Sequence, residues 1–186
     1  MKVYMISGKA RNGKDTLAGF MKRYFDENGK KACIMHIGNY IKHFAIDYFG
    51  WDGSDETKPR TLLQQLGTEI IREKMNKPLF FTTRLTEDME VLSNFYDVII
   101  VADVRLPLEF DEISKVYPDL VKMHITRPEL VSNLSVTEQK HITETALDEY
   151  KDYKYDVVNT TLEELEKEAK RIVEEELKWN IWLIMK

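Results

Sequence analysis

Apolar residues follow two rhythms along this chain, and the two alternate. Short continuous runs over residues 3–6, 32–37, 96–103, 120–126 and 155–159 have the pattern of strands buried on both faces of a parallel sheet. Between them apolar positions recur every three or four residues, which predicts helices. Leu17, Phe20, Met21 and Tyr24 mark the first, and Ile41, Phe44, Ala45 and Tyr48 a second over about 40 to 49. Leu62, Leu63, Leu66 and Ile70 form the inward face of a third that starts at Arg60, and Phe81, Leu85, Met89 and Leu92 that of a fourth. A short helix over 108–116 and a long one carrying Leu165, Ala169, Ile172 and Val173 complete the set.

Punctuation agrees with these periods. Gly29 caps the first helix, Asn76-Lys77-Pro78 breaks the third, and Thr160-Thr161-Leu162-Glu163-Glu164 has capping-box character. Residues 50–59 read as a polar loop, and 127–141 lack periodicity, the signature of a loop or lid. Strands alternating with helices predict an α/β fold with a parallel sheet of about five strands.

The connection between the first strand and first helix carries chemistry. Gly8-Lys9-Ala10-Arg11-Asn12-Gly13-Lys14 has two glycines five apart followed by lysine, the pattern of a phosphate-binding loop. Glycine lets the chain wrap a polyphosphate, amide N–H groups and the helix start supply positive potential, and Lys14 reaches the outer phosphates. Asp15 stands where Ser or Thr usually follows, with Thr16 next. A carboxylate beside a triphosphate needs a cation between them, so Asp15 and Thr16 are candidate Mg²⁺ contacts; the alternative is that Asp15 only favours the helix start.

In open parallel sheets ligands sit beyond the carboxyl ends of the strands, where Gly8, Gly38, Asp103 and Arg127 fall. Asp103 ends a hydrophobic strand, as a Mg²⁺-holding acid does in phosphate-loop enzymes, and Arg105 offers a planar fork for phosphate. Glu109 is accounted for by the next helix dipole. Arg60 with Gln64 is suited to an acceptor phosphate or base edge, Arg72 on the same helix ranks below Arg60 and reads equally as a solvated helix residue, and Lys42 lies just after Gly38. The segment 127–145 brings Arg127, Lys140, His141, Glu144 and Thr145 toward one edge as a cover. Its bland version is a surface loop capped by Thr143, and His141 reads as a positioning residue rather than a metal ligand.

Composition narrows the class. The 186 residues, 43% hydrophobic and 32% charged, suit one domain with a sizeable core. A net charge of −5 argues against polymeric nucleic acid as the main partner. Cys33 is the only cysteine, which fits a reducing cytoplasm. The chain runs from Met1-Lys2 straight into a strand without a signal peptide, and no apolar segment reaches membrane-spanning length. The oily tail Trp179 to Met185 is expected to pack on the domain or on a second copy, as a homodimer.

The pieces GKARNGKDT, RTLLQQLGTEII, VIIVADVRLPLEFDEI, HITRPEL with HITETAL, and DVVNTTLEEL, in this order, resemble the phage-type deoxynucleoside monophosphate kinases. The resemblance implies a three-layer P-loop kinase fold in one domain, residues 1–186, with a helical acceptor-binding insertion (38–95) and a lid segment (127–145). It implies ATP- and Mg²⁺-dependent phosphorylation of a small nucleoside monophosphate. ATP would lie on Gly8, Lys9, Ala10, Arg11, Asn12, Gly13, Lys14, Asp15 and Thr16, with Asp15, Thr16 and Asp103 toward the metal. Residues matching Gly38, Arg60, Gln64, Asp103, Arg105 and Glu144 would surround the acceptor, joined by Lys42 and His141. Lys14, Asp15, Arg105 and Arg127 would carry the transfer. The connection 50–59 is shorter than in the phage enzymes and the segment 127–141 longer, which leaves the acceptor open. Rival readings are a kinase for another small metabolite, of the dephospho-coenzyme A or phosphomevalonate type, and a nucleotide-binding regulatory module without turnover.

Overall fold

A computed structural model describes residues 1–130 and 135–184. The strands β1 (Lys2–Ser7), β2 (Ala32–Met35), β3 (Val98–Val104), β4 (Val121–Thr126) and β5 (Tyr155–Val158) form one parallel sheet in the order β2-β3-β1-β4-β5. The order places β1 at the centre, so the loop that follows it opens at the middle of the sheet edge.

Pleating sends alternate residues of the central strands to opposite faces. Tyr4, Ile6, Ile100 and Met123 face α1 (Lys14–Glu27) and α8 (Leu162–Ile184), where Leu17, Met21, Phe25, Leu165 and Ile172 bury them. Val3, Met5, Ile99 and Val101 face the other layer, packed by Phe81, Leu85 and Met89 of α4 (Phe80–Leu92) and by Phe110 and Ile113 of α5 (Pro107–Val116). Both faces are covered, and the predicted three layers are present. Thr161 Oγ1 accepts the Glu164 N–H at 3.2 Å, one half of the predicted capping box.

Between β2 and α4 lie α2 (Asn39–Phe49) and α3, which begins as an α-helix over Arg60–Gln64 and continues as a π-helix over Gln65–Lys74. Here one expectation is corrected. Ile70 is 38% exposed and Ile71 is buried, because the wider π turn rotates the inward face by one residue. Beyond β4 the short helices α6 (Val136–Gln139) and α7 (Ile142–Thr145) lead into β5. His141, rather than Thr143, is the N-cap of α7, accepting the Thr143 N–H at 3.3 Å. Residues 131–134 of the expected lid and Met185 of the apolar tail lie outside the described residues. The tail from Trp179 runs on the last turns of α8, its side chains also outside them. No helix among the described residues is long and apolar enough to cross a membrane.

Candidate active site

The loop after β1 has the backbone its glycines imply. Gly8 and Gly13 have φ of +148° and +100°, and Arg11 is also left-handed at +62°. A side chain at Gly8 would run into the Ile125 carbonyl, and one at Gly13 would meet the Asn159 amide at 2.5 Å. Two asparagines tie the loop to neighbouring strand ends: Asn12 Nδ2 donates to the Ile125 carbonyl (3.0 Å) and Asn159 Nδ2 to the Asn12 carbonyl (2.9 Å). Lys14 is only 6% exposed and donates to the carbonyls of Gly8 (2.7 Å) and Lys9 (2.8 Å). Burial, with the Arg105 cation nearby, lowers its ammonium to about 7. An anion in the loop would restore the charge.

One cavity of about 480 Å³ opens beside the loop and gathers the residues expected around an acceptor. Lys14, Asp15, Asp103 and Arg105 line it from the strand ends, Gly38 and Lys42 from α2, Arg60 and Gln64 from α3, and His141 and Glu144 from the segment around α7. The lining contributed by the 38–95 region runs from Gly38 to Arg72, whereas α4 is spent on the core. Asp103 accepts the N–H of Ile37 (2.7 Å) and Gly38 (2.8 Å), one on each oxygen, so it shapes the turn entering α2. Each oxygen keeps a lone pair for a cation or water.

The segment after β4 meets the cations of this cavity with carboxylates. Glu144 accepts from Arg105 Nη1 (2.6 Å) and from the Ala10 N–H of the loop (3.0 Å). Glu138 lies 4.0 Å from Arg60; outside this cavity, Asp148 lies 3.0 Å from Lys9. Arg127 does not join this group. It lines a second hollow of about 320 Å³ with Thr16, Asn159, Thr160 and Leu162, and Lys140 is exposed outside both. Arg11, Lys14 and Asp15 line both hollows, so the loop is the partition between them.

Two site residues, His36 and Glu109, escaped the sequence reading, and a third, Arg72, was ranked low. His36, at the end of β2, donates from Nε2 to Asp15 at 2.6 Å. That hydrogen bond lowers the Asp15 carboxyl and raises the His36 imidazole. Asp15 caps nothing; the N-cap of α1 is Gly13, without a side-chain bond. Arg72, ranked below Arg60, and Glu109, read as a dipole partner, form a buried ion pair at 3.2 Å in the cavity wall. Burial pushes Glu109 up to about 7, opposed by the Arg105 and Leu106 amides and Arg72. The signal that was available is the spacing Asp103-x-Arg105-x-x-x-Glu109: a carboxylate at the third position of α5 reaches back to the amides before it.

Among the described residues no three His, Cys, Asp or Glu side chains cluster as a closed metal site. A carboxylate and a hydroxyl at the start of α1, Asp15 and Thr16, are hard oxygen donors that fit a Mg²⁺ ion shared with substrate phosphates.

Comparison with known proteins bears on this constellation. The model of the family described as deoxynucleotide monophosphate kinase matches residues 24–169. That stretch starts beyond the loop, whose assignment rests on its own geometry. A deoxynucleotide monophosphate kinase of Enterobacteria phage T4 is 26% identical over 136 residues, which cover 73% of this chain and 51% of the phage protein. The chain therefore spans about half the length of that relative. Among solved structures, the APS kinase of Mycobacterium tuberculosis in complex with AMPPNP and APS superposes with a TM-score of 0.57 at 14% identity, over 93% of this chain and 95% of that one. A gluconokinase from Sinorhizobium meliloti gives 0.54 at 12% identity, over 100% and 98%. These two share the P-loop kinase fold with the chain. The family match spans well over half of the sequence and takes in α3, the β3 turn and the segment over the cavity, and on it the chain belongs to the deoxynucleotide monophosphate kinase family.

Proposed function

We propose that the protein is a single-domain kinase, residues 1–186, that transfers the γ-phosphoryl group of ATP to the phosphate of a deoxynucleoside monophosphate, giving the diphosphate and ADP. The observation that carries this reading is the partition: two hollows share one wall, and Lys14, Asp15 and Arg11 belong to both. A two-substrate transfer needs that geometry. ATP occupies the loop residues Gly8 to Thr16 and the hollow that reaches Arg127, and the acceptor occupies the cavity lined by Gly38, Arg60, Gln64 and Arg105. Within the region 38–95 the part from Gly38 to Arg72 serves acceptor binding, and 127–145 serves as the lid.

The acceptor oxygen is already anionic, so no strong general base is required; the work is alignment and charge neutralisation. An acceptor phosphate oxygen attacks the γ-phosphorus while the bond to the β-phosphate oxygen breaks, and ADP leaves with that electron pair. Lys14, buried and restored to its charged form by the phosphates, follows the negative charge, and Arg105 holds the acceptor phosphate opposite it. Bound Mg²⁺ would neutralise the β- and γ-phosphates from Asp15 and Thr16. Arg127 steadies ATP from the donor side.

ADP release measured with ATP, Mg²⁺ and a panel of deoxynucleoside monophosphates, ribonucleotides and phosphorylated metabolites tests the assignment. Turnover is expected with at least one deoxynucleoside monophosphate. Turnover with metabolites alone, or ATP binding with no ADP from any acceptor, overturns it.

A further inference from the structure

One wall of the acceptor cavity contains two charges that the transfer above does not use. The Arg72 side chain is 12% exposed and that of Glu109 only 2%, with Arg72 Nη2 3.2 Å from Glu109 Oε1. Arg72 Nη1 reaches the Gly67 carbonyl at 3.3 Å, its guanidinium carbon lies 5.3 Å from the Phe81 ring centre, and its Nε is buried without a partner. Buried ion pairs lose most of their attraction to desolvation, and apolar residues of the same volume serve stability as well. Stability alone therefore does not account for this pair.

Its contacts do. The other oxygen of Glu109, Oε2, accepts the backbone N–H of Arg105 at 2.7 Å and of Leu106 at 3.0 Å. Arg105 in turn projects its guanidinium to Glu144 at the cavity. A continuous path thus runs from α3 through Arg72 and Glu109 to the backbone that carries Arg105. The π turn belongs to the same device, because it rotates Ile71 and Arg72 inward where an α-helix would place Ile70. Gly67 keeps the approach tight: a Cβ there would lie 2.7 Å from Ile41 Cδ1.

We infer that Arg72 and Glu109 are positioning residues for Arg105, through which the helix that receives the acceptor fixes the arginine that holds its phosphate. The inference rests on the kinase reading above. Arg72 holds Glu109 aimed at the two amides; without Arg72 the turn at Arg105 loosens.

The test uses Arg72→Met and Glu109→Gln in the full chain, after confirming folding by thermal melts. Each should lower kcat about tenfold or more while the KM for ATP changes by less than about twofold, the split expected when an aligning group is displaced. Arg72→Lys, which restores charge without the planar fork, should recover part of the loss. In an Arg105→Ala background the further cost of Arg72→Met should fall to about twofold or less, since residues acting as one unit are not additive. Fully additive losses, or an unchanged kcat in a folded variant, overturn the inference. Should Arg72→Met not fold, the pair Arg72→Met with Glu109→Gln removes both buried charges and enters the same cycle. Amide hydrogen exchange at Arg105 and Leu106 separates the two levels: it should quicken in Arg72→Met, and unchanged exchange overturns the relay whether or not the protein turns over. A wild-type chain with no turnover on any acceptor overturns the kinase reading instead.

Discussion

The two hollows on either side of Lys14 are built by different physics. On the donor side the loop is fixed by neutral contacts, with the Asn12 and Asn159 side chains locked onto carbonyls and Gly8 and Gly13 pressed against Ile125 and Asn159, while Arg11 and Arg127 supply charge to that hollow. On the acceptor side the walls are charged and paired, with Arg72 on Glu109, Arg105 on Glu144, Arg60 near Glu138 and His36 on Asp15. A neutral, hydrogen-bonded wall takes its shape when the chain folds. A wall of ion pairs holds cations whose carboxylate partners compete with an incoming phosphate. The donor side should therefore respond to lost volume or amides, and the acceptor side to charge.

Lys14 belongs to both walls, and its loss should be the largest effect. Lys14→Ala is expected to lower turnover by about 10²–10³-fold or more, the range for removing one charge-stabilising donor, with the chain still folded. ADP-release kinetics beside a thermal melt check this; substantial remaining activity would remove the shared wall from the mechanism.

Next come matched deletions on the two sides. Asn159→Ala leaves the buried Asn12 carbonyl without its donor, which should cost about 1–3 kcal/mol of stability. Glu138→Gln opposite the half-exposed Arg60 should stay within about 0.5 kcal/mol. Denaturant midpoints at equal slope give both numbers. Equal costs would erase the distinction between the walls.

Glu144 sharpens it further. Its carboxylate sits on Arg105 and on a loop amide, two groups that a phosphate also seeks. Glu144→Gln should tighten ATP binding by about three- to tenfold, the scale of one charge-assisted hydrogen bond. Calorimetric titration reads the change, and weaker binding would mean that the carboxylate supports the phosphate rather than standing in its place.

How much of this was legible in the sequence follows the same division. Strand runs and helical spacing gave every layer of the sheet, because burial on both faces leaves an unbroken apolar signal in β1 and β3. The phosphate loop was legible because glycine at φ +148° and +100° answers a local backbone demand. The π turn in α3 was not: the local pattern points Ile70 inward, and only packing against the core selects Ile71. Glu109 and His36 were missed, and Arg72 ranked low, for the same reason. Each finds its partner across a long stretch of sequence (Arg72 meets Glu109 from another helix, His36 meets Asp15 across α1), and a lone charged residue looks the same whether solvated or paired. Arg127 shows the converse error. Its place after β4 was read correctly, but a strand end does not tell which side of the loop the side chain will serve.

The smallest effect tests the edge of the charged wall. Asp15 raises the His36 imidazole above its ordinary value, so the folded protein holds that proton more tightly than the unfolded chain does. The sign follows: the contact stabilises fully below about pH 6.5, the unfolded histidine value, and the contribution is lost as pH rises through the folded value. Asp15 is mostly exposed, so solvent screening keeps the gain under about 1 kcal/mol. Melts from pH 5.5 to 8.5 should show wild type more stable than His36→Asn at the acid end, with the gap closing toward the alkaline end. A gap that is flat across this range would mean His36 holds Asp15 by shape alone, and the acceptor wall would then contain at least one neutral member.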